Sequence, residues 1–128
     1  MPTGLTRDAG WQIGVSRTVA HPLPVVWDFL SGPEGLALWL GADLNPEPGA
    51  PFRTADGVEG EVRGHREQDR IRVTHGTTTI QVAVRAGGSG RTMVRFHQER
   101  MADGDERERQ RAHWTSVLDA VAAALDRR

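Results

Sequence analysis

The stretch "ADGDERERQRAHWTSVLDAVAAALDRR", residues 102–128, decides the fold. Trp114, Val117, Leu118, Val121 and Leu125 recur at the spacing of one helical face, and Ala120, Ala122, Ala123 and Ala124 keep the adjoining surface small. Asp103 is placed to cap the helix with Glu106 three residues on, and Asp105 to pair with Arg109. The alternating arginines and glutamates read as a solvated face. Together these features predict one amphipathic helix of about 22 residues whose apolar stripe needs a partner layer.

That layer lies upstream. In residues 11–20, Ile13, Val15 and Val19 alternate with Gln12, Ser16 and Thr18, the period of a half-buried strand. Arg17 breaks the apolar parity, either at a bulge or edge that turns it to solvent or as a charge aimed into a polar interior. From residue 58 onward the chain alternates like an antiparallel meander. Val58, Gly60, Val62 and Gly64 oppose Glu59, Glu61, Arg63 and His65, and the glycines suit a strand that bends. Ile71 and Val73, then Ile80, Val82 and Val84, then Val94 and Phe96 repeat the pattern. The glycine-rich "AGGSGR" (86–91) lacks the Gly-Lys-Ser/Thr ending of a phosphate loop and reads as a hairpin turn.

Between the first strand and the meander, "HPLPVVWDFL" (21–30) opens a helix with prolines in its first turn. Ser31-Gly32-Pro33 ends it, and Pro33 starts a second short helix in which Leu36, Trp39 and Leu40 share a face before Gly41. Trp27 is expected to lock the first helix to the sheet and Trp39 to face an opening.

Composition narrows the function. The 128 residues are 38% hydrophobic and 26% charged, as in a single globular domain. No apolar run approaches the roughly 20 residues of a membrane span, and "MPTGLTRDAGW" lacks the apolar core of a signal peptide, so a cytoplasmic location is expected. With no cysteine there is neither a disulfide nor a thiolate nucleophile. The sixteen basic residues, all arginine, are scattered among seventeen acids, so the basic patch of a nucleic-acid binder is missing. No histidine pair has metal-ligand spacing and no nucleophile motif such as Gly-x-Ser-x-Gly appears, so no metal, cofactor or catalytic residue is expected.

A one-sided sheet must be covered, and the only large candidate is the C-terminal helix. The fold class is therefore α+β: a strongly curved antiparallel sheet of about seven strands around one long helix, with two short helices after the first strand. Residues 1–10 are expected to be a tail and 11–128 one domain. The chain resembles the START-like (SRPBCC, helix-grip) superfamily, in the branch named after the activator of the ninety-kilodalton heat-shock chaperone's ATPase. The likeness is carried by "VSRTVAHPLPVVWDFLSGPEGLALWLG" (15–41), Pro-Gly-x-Pro-Phe-Arg (48–53), "GEVRG" (60–64), "GRTMVRFHQE" (90–99) and "HWTSVLDAVAAAL" (113–125). His75 stands where the family often has a tryptophan.

The resemblance implies a cavity for an apolar small molecule between sheet and long helix. A dry apolar void of about 300 Å³ would cost about 7 kcal/mol, so such a space must be small, wet or occupied. The expected lining is Leu36 and Trp39 from the second helix, Phe52, Val62, Val73, His75, Val82 and Phe96 from the sheet, and Trp114, Leu118 and Val121 from the long helix. Arg17 and His75 are its only inward polar candidates. His65 and His97 fall on the wet parity. The leading expectation is non-catalytic binding of a hydrophobic or polycyclic molecule, lipid or polyketide-like. The resemblance also implies two alternatives, a co-chaperone-type interaction module and an enzyme of the polyketide cyclase or aromatase kind.

Overall fold

Alternating apolar residues on the strands and a helical stripe at the C-terminus bury each other in the computed structural model of the chain, which describes residues 4–6 and 10–128. Strands β1 (Leu5–Thr6) and β2 (Gly10–Val19) lead into helices α1 (Leu23–Ser31) and α2 (Pro33–Trp39). Strands β3 (Pro51–Arg53), β4 (Glu59–Arg66), β5 (Arg70–His75), β6 (Thr78–Gly88) and β7 (Arg91–Met101) follow, and α3 (Gly104–Asp126) ends the fold. The seven strands form one antiparallel sheet in the order β1-β2-β7-β6-β5-β4-β3, so the early strand β2 returns to pair with β7. Most of the expected tail, residues 1–3 and 7–9, lies outside the described residues. Of its remainder, Leu5 pairs with Trp11.

Each helix starts and stops for a local reason. Pro24 occupies the first turn of α1, where a missing N–H costs no intrahelical bond, and Pro33 does the same for α2. Gly32 is at once the C-cap of α1 and the N-cap of α2, and Gly41, at φ +76°, ends the second run. The two helices cross at Gly35: a Cβ there would meet the Phe29 carbonyl oxygen at 2.0 Å. Asp103 accepts from the Glu106 amide at 2.8 Å, and the Glu106 carboxylate accepts from the Ala102 amide at 3.0 Å. Asp105 and Arg109 form no ion pair among the described residues. Arg107 instead donates to the Gln12 carbonyl and pairs with Glu108.

Two departures from strict alternation matter. The β4–β5 register slips between Val62 and Gly64, leaving Arg63 as the extra residue, and from there the parity inverts. His65, assigned to the wet face by alternation, therefore sits opposite buried Ile71 and meets the Trp27 ring edge-on at 5.7 Å. The second slip lies in the β2–β7 ladder, where β7 carries one extra residue between Gln98 and Met101. The glycine-rich turn behaves as read: β6 ends at Gly88 and β7 starts at Arg91.

Arg17 opposes buried Val94 on the helix-facing side of β2, yet its guanidinium reaches out past the sheet to Asp119 of α3 at 2.6 Å. Of its two readings, solvent holds. The side chain is 45% exposed and the ion pair ties α3 to the sheet margin, a contact of at most about 1 kcal/mol.

Because the α1–α2 crossing leaves no room for a Cβ at Gly35 and the obstacle is backbone, Gly35→Ala is expected to lower stability by about 2–3 kcal/mol in urea unfolding. Gly57→Ala, in open space but at φ +89°, separates conformational strain from collision and should cost about 1 kcal/mol.

A half-polar cleft at the mouth of the grip

The interior between sheet and α3 is filled by rings. Trp114 stacks on Phe96 with centroids 4.6 Å apart and planes 12° apart, and Trp39 leans on the same phenyl ring at 5.9 Å. Both indole N–H groups are satisfied inside the protein: Trp39 Nε1 donates to the Leu30 carbonyl at the end of α1, 2.9 Å, and Trp114 Nε1 to Gln98 Oε1, 2.9 Å.

Outside this aromatic trio a cleft of about 470 Å³ opens to solvent. Its walls are the last turn of α2 (Ala37, Leu38, Trp39), the turn after β3 (Ala55, Asp56), His75 and Ile80 at the β5–β6 end, and Gln110, His113 and Trp114 on α3. Trp39 and Trp114 supply an apolar floor, and the polar groups stand around it.

One buried amide organises the polar side. Gln98 Oε1 accepts from Trp114 Nε1 and from Gln110 Nε2 at 2.8 Å, while its Nε2 donates to Thr78 Oγ1 at 3.0 Å. Thr78 Oγ1 in turn donates to the His75 carbonyl at 2.8 Å. The chain of bonds thus runs from α3 through β7 to the β5–β6 turn, fixing three walls of the cleft relative to one another.

The imidazoles of His75 and His113 make no hydrogen bond to another described residue, and that of His75 is held only by its own backbone. Desolvation pushes the His75 pKa below its ordinary value, with the Asp56 carboxylate partly opposing it. His113 is lowered by desolvation first and by the charge of His75 second, although one side of its ring is in solvent. Asp56 accepts from the Thr54 hydroxyl, and that bond, with its own backbone, keeps its carboxyl low. At neutral pH the cleft therefore presents two neutral imidazoles, a carboxamide and one carboxylate.

Of the twelve residues expected to line a cavity, the structure brings Trp39, His75 and Trp114 to the cleft. Leu36, Phe52, Val62, Val73, Val82, Phe96, Leu118 and Val121 belong to the packed core. Arg17 lies at the sheet margin, so the pairing of Arg17 with His75 as inward polar groups does not occur. Alternation left Gln98 unread, yet it falls on the Thr92–Val94–Phe96 parity of β7, two residues further along. Gln110 and His113 precede Trp114 at helical spacings of four and one, and carrying the Trp114 face one turn back would have found Gln110. Asp56 stands in a turn, where no periodicity marks it.

A curved antiparallel sheet gripping one long C-terminal helix, with two short helices at its mouth, defines the START-like (SRPBCC) class. Within it, the chain belongs to the family described as activator of Hsp90 ATPase homolog 1-like protein, which it matches over residues 20–126. Similar solved structures include MLL2253 from Mesorhizobium loti, at 19% identity over 91% of this chain and 97% of that one, TM-score 0.79. DynU16, from the dynemicin biosynthetic locus, is 22% identical over 90% of this chain, TM-score 0.75, and this chain spans only 47% of it. CalU16 from Micromonospora echinospora is 14% identical over 87% of this chain and 71% of that one, TM-score 0.75. At these identities the likeness concerns the fold. No curated protein matches the chain. No helix among the described residues is long and apolar enough to cross a membrane.

Two measurements follow. Gln98→Leu should cost about 2–4 kcal/mol in denaturant unfolding despite its apolar side chain, because it strands the Trp114 and Gln110 donors. His75, His97 and His113 should titrate below 6.5 by NMR, since burial disfavours the charged ring in each. In the pH window below 6.5 the unfolded chain then binds protons before the folded one. Their contribution to stability is complete above 6.5 and is lost as pH falls toward the depressed folded values.

Proposed function

We propose that the chain binds a compact hydrophobic or polycyclic small molecule in this cleft, without converting it. The observation that carries the reading is the pair of imidazoles, His75 and His113, that face one open cleft without a hydrogen bond to another described residue. An apolar body would lie against the exposed side chains of Ala37, Leu38 and Ala55, with the buried Trp39 and Trp114 behind them, and a ligand hydroxyl or carbonyl would meet His75, His113 or Gln110. The volume of about 470 Å³ falls in the range of small-molecule sites, and the mix of apolar floor with few polar groups is their usual composition. The ligand would sit at the mouth, since aromatic rings occupy the interior. That one structural relative comes from a biosynthetic locus for a small molecule agrees with this reading.

The same imidazoles favour a second reading, an enzyme of the cyclase kind. A neutral histidine near pH 7 is a competent general base, and His75 and His113 face a common space. In that case His75→Ala or His113→Ala abolishes turnover while binding survives.

The test is a panel of fatty acids and fused-ring phenolic compounds, followed by thermal shift. A ligand at a hundredfold excess over its Kd should stabilise the fold by about 2.7 kcal/mol. Ala37→Trp and Ala55→Trp, exposed residues of the cleft wall, should fold normally and abolish that shift. No shift beyond a degree or two with any compound, or shifts that survive both plugs, would remove the proposal.

A further inference from the structure

The outer face of the sheet carries a second feature, which shares only Thr78 with the bond network behind the cleft. A polar pocket of about 340 Å³ lies around the β5–β6 turn, with Arg63, Arg72, Arg100 and the threonines of that turn in its wall. Three guanidiniums meet two carboxylates there. Arg63 bonds Glu61 at 2.5 Å, and Arg72 bonds Glu99 and, at 3.5 Å, Gln81. Arg100 has no ion-pair or hydrogen-bond partner among the described residues, and neither does the hydroxyl of exposed Thr77. The local balance is one uncompensated positive charge.

Two of the three arginines are delivered by irregularities. Arg63 is the extra residue of the β4 bulge, and Arg100 lies in the segment where β7 gains a residue against β2. Bulges redirect side chains and gather beside functional sites. Arg100 also has φ +66°, a conformation that glycine or asparagine adopts more readily than a long cation. Strain held at such a position points to the side chain as the reason for it.

We propose that this pocket is a second binding site, for a phosphate group, free or as the monoester of a small molecule. Arg100 supplies the forked, charge-assisted contact, Arg63 and Arg72 flank it while remaining oriented by Glu61 and Glu99, and the Thr77 hydroxyl donates at the rim.

The test is an NMR titration of the full chain with inorganic phosphate and, separately, methyl phosphate, with chloride at matched ionic strength as the reference. Saturable shifts of the Gly76–Thr79 amides and the arginine Nε–H signals are expected, stronger with methyl phosphate if the natural ligand is an ester. Arg100→Gly should melt no lower than the parent, since its backbone favours glycine, and should weaken binding about tenfold or more. Arg63→Gln, at an exposed site, should weaken it in the same direction. Shifts that never saturate, that chloride reproduces, or that persist unchanged in Arg100→Gly would overturn the proposal. The cleft reading is untouched by either result, because none of its residues is altered.

Discussion

Trp114 lies flat on Phe96, and this stack is the contact on which the rest of the molecule is arranged. It joins the long helix to the middle of the sheet at a point where both rings are almost entirely buried. Trp39 closes the third side, so that α2, β7 and α3 share one aromatic nucleus. Aromatic pairs of this kind contribute about 0.5–1.5 kcal/mol beyond the area they bury. Their larger effect here is to exclude: with three large rings in the grip, a ligand-sized void in the interior is filled and the accessible space moves outward to the mouth.

The polar side of the nucleus is as constrained as the apolar side. The Gln98 side chain, on β7, is bonded twice from α3 and once to β6, and the Trp114 and Gln110 donors would be left unsatisfied in a dry place without it. The amide therefore converts a loose aromatic cluster into a geometry with one solution, and through Thr78 it extends that geometry to the turn beneath His75. Trp39 does the same for the helix pair by taking up a terminal carbonyl of α1.

The architecture was legible because it rests on period and punctuation. The 3.5-type spacing of Trp114, Val117, Leu118 and Val121 located the long helix, and Pro24, Gly32, Pro33 and Gly41 bracketed the short ones. The site was legible only in part. Alternation treats every inward residue as equivalent, so it could not tell core positions such as Val73 and Val82 from rim positions such as His75, which differ only in distance from the strand end. A one-residue bulge also has no signature in composition, and it alone carries His65 from the wet side to Trp27. Burial of Trp39 alongside Trp27 could not be foreseen from the helix pattern, since the acceptor for its N–H is a carbonyl nine residues away.

The distribution of chromophores has a practical side. With four tryptophans and no tyrosine, all strong near-ultraviolet absorption and emission of this chain comes from indoles. Two of those indoles border the same opening, and one is stacked on a phenyl ring at 12°. Emission and circular dichroism of the unlabelled protein consequently report on the packing of the aromatic nucleus, and no dye or engineered probe is required.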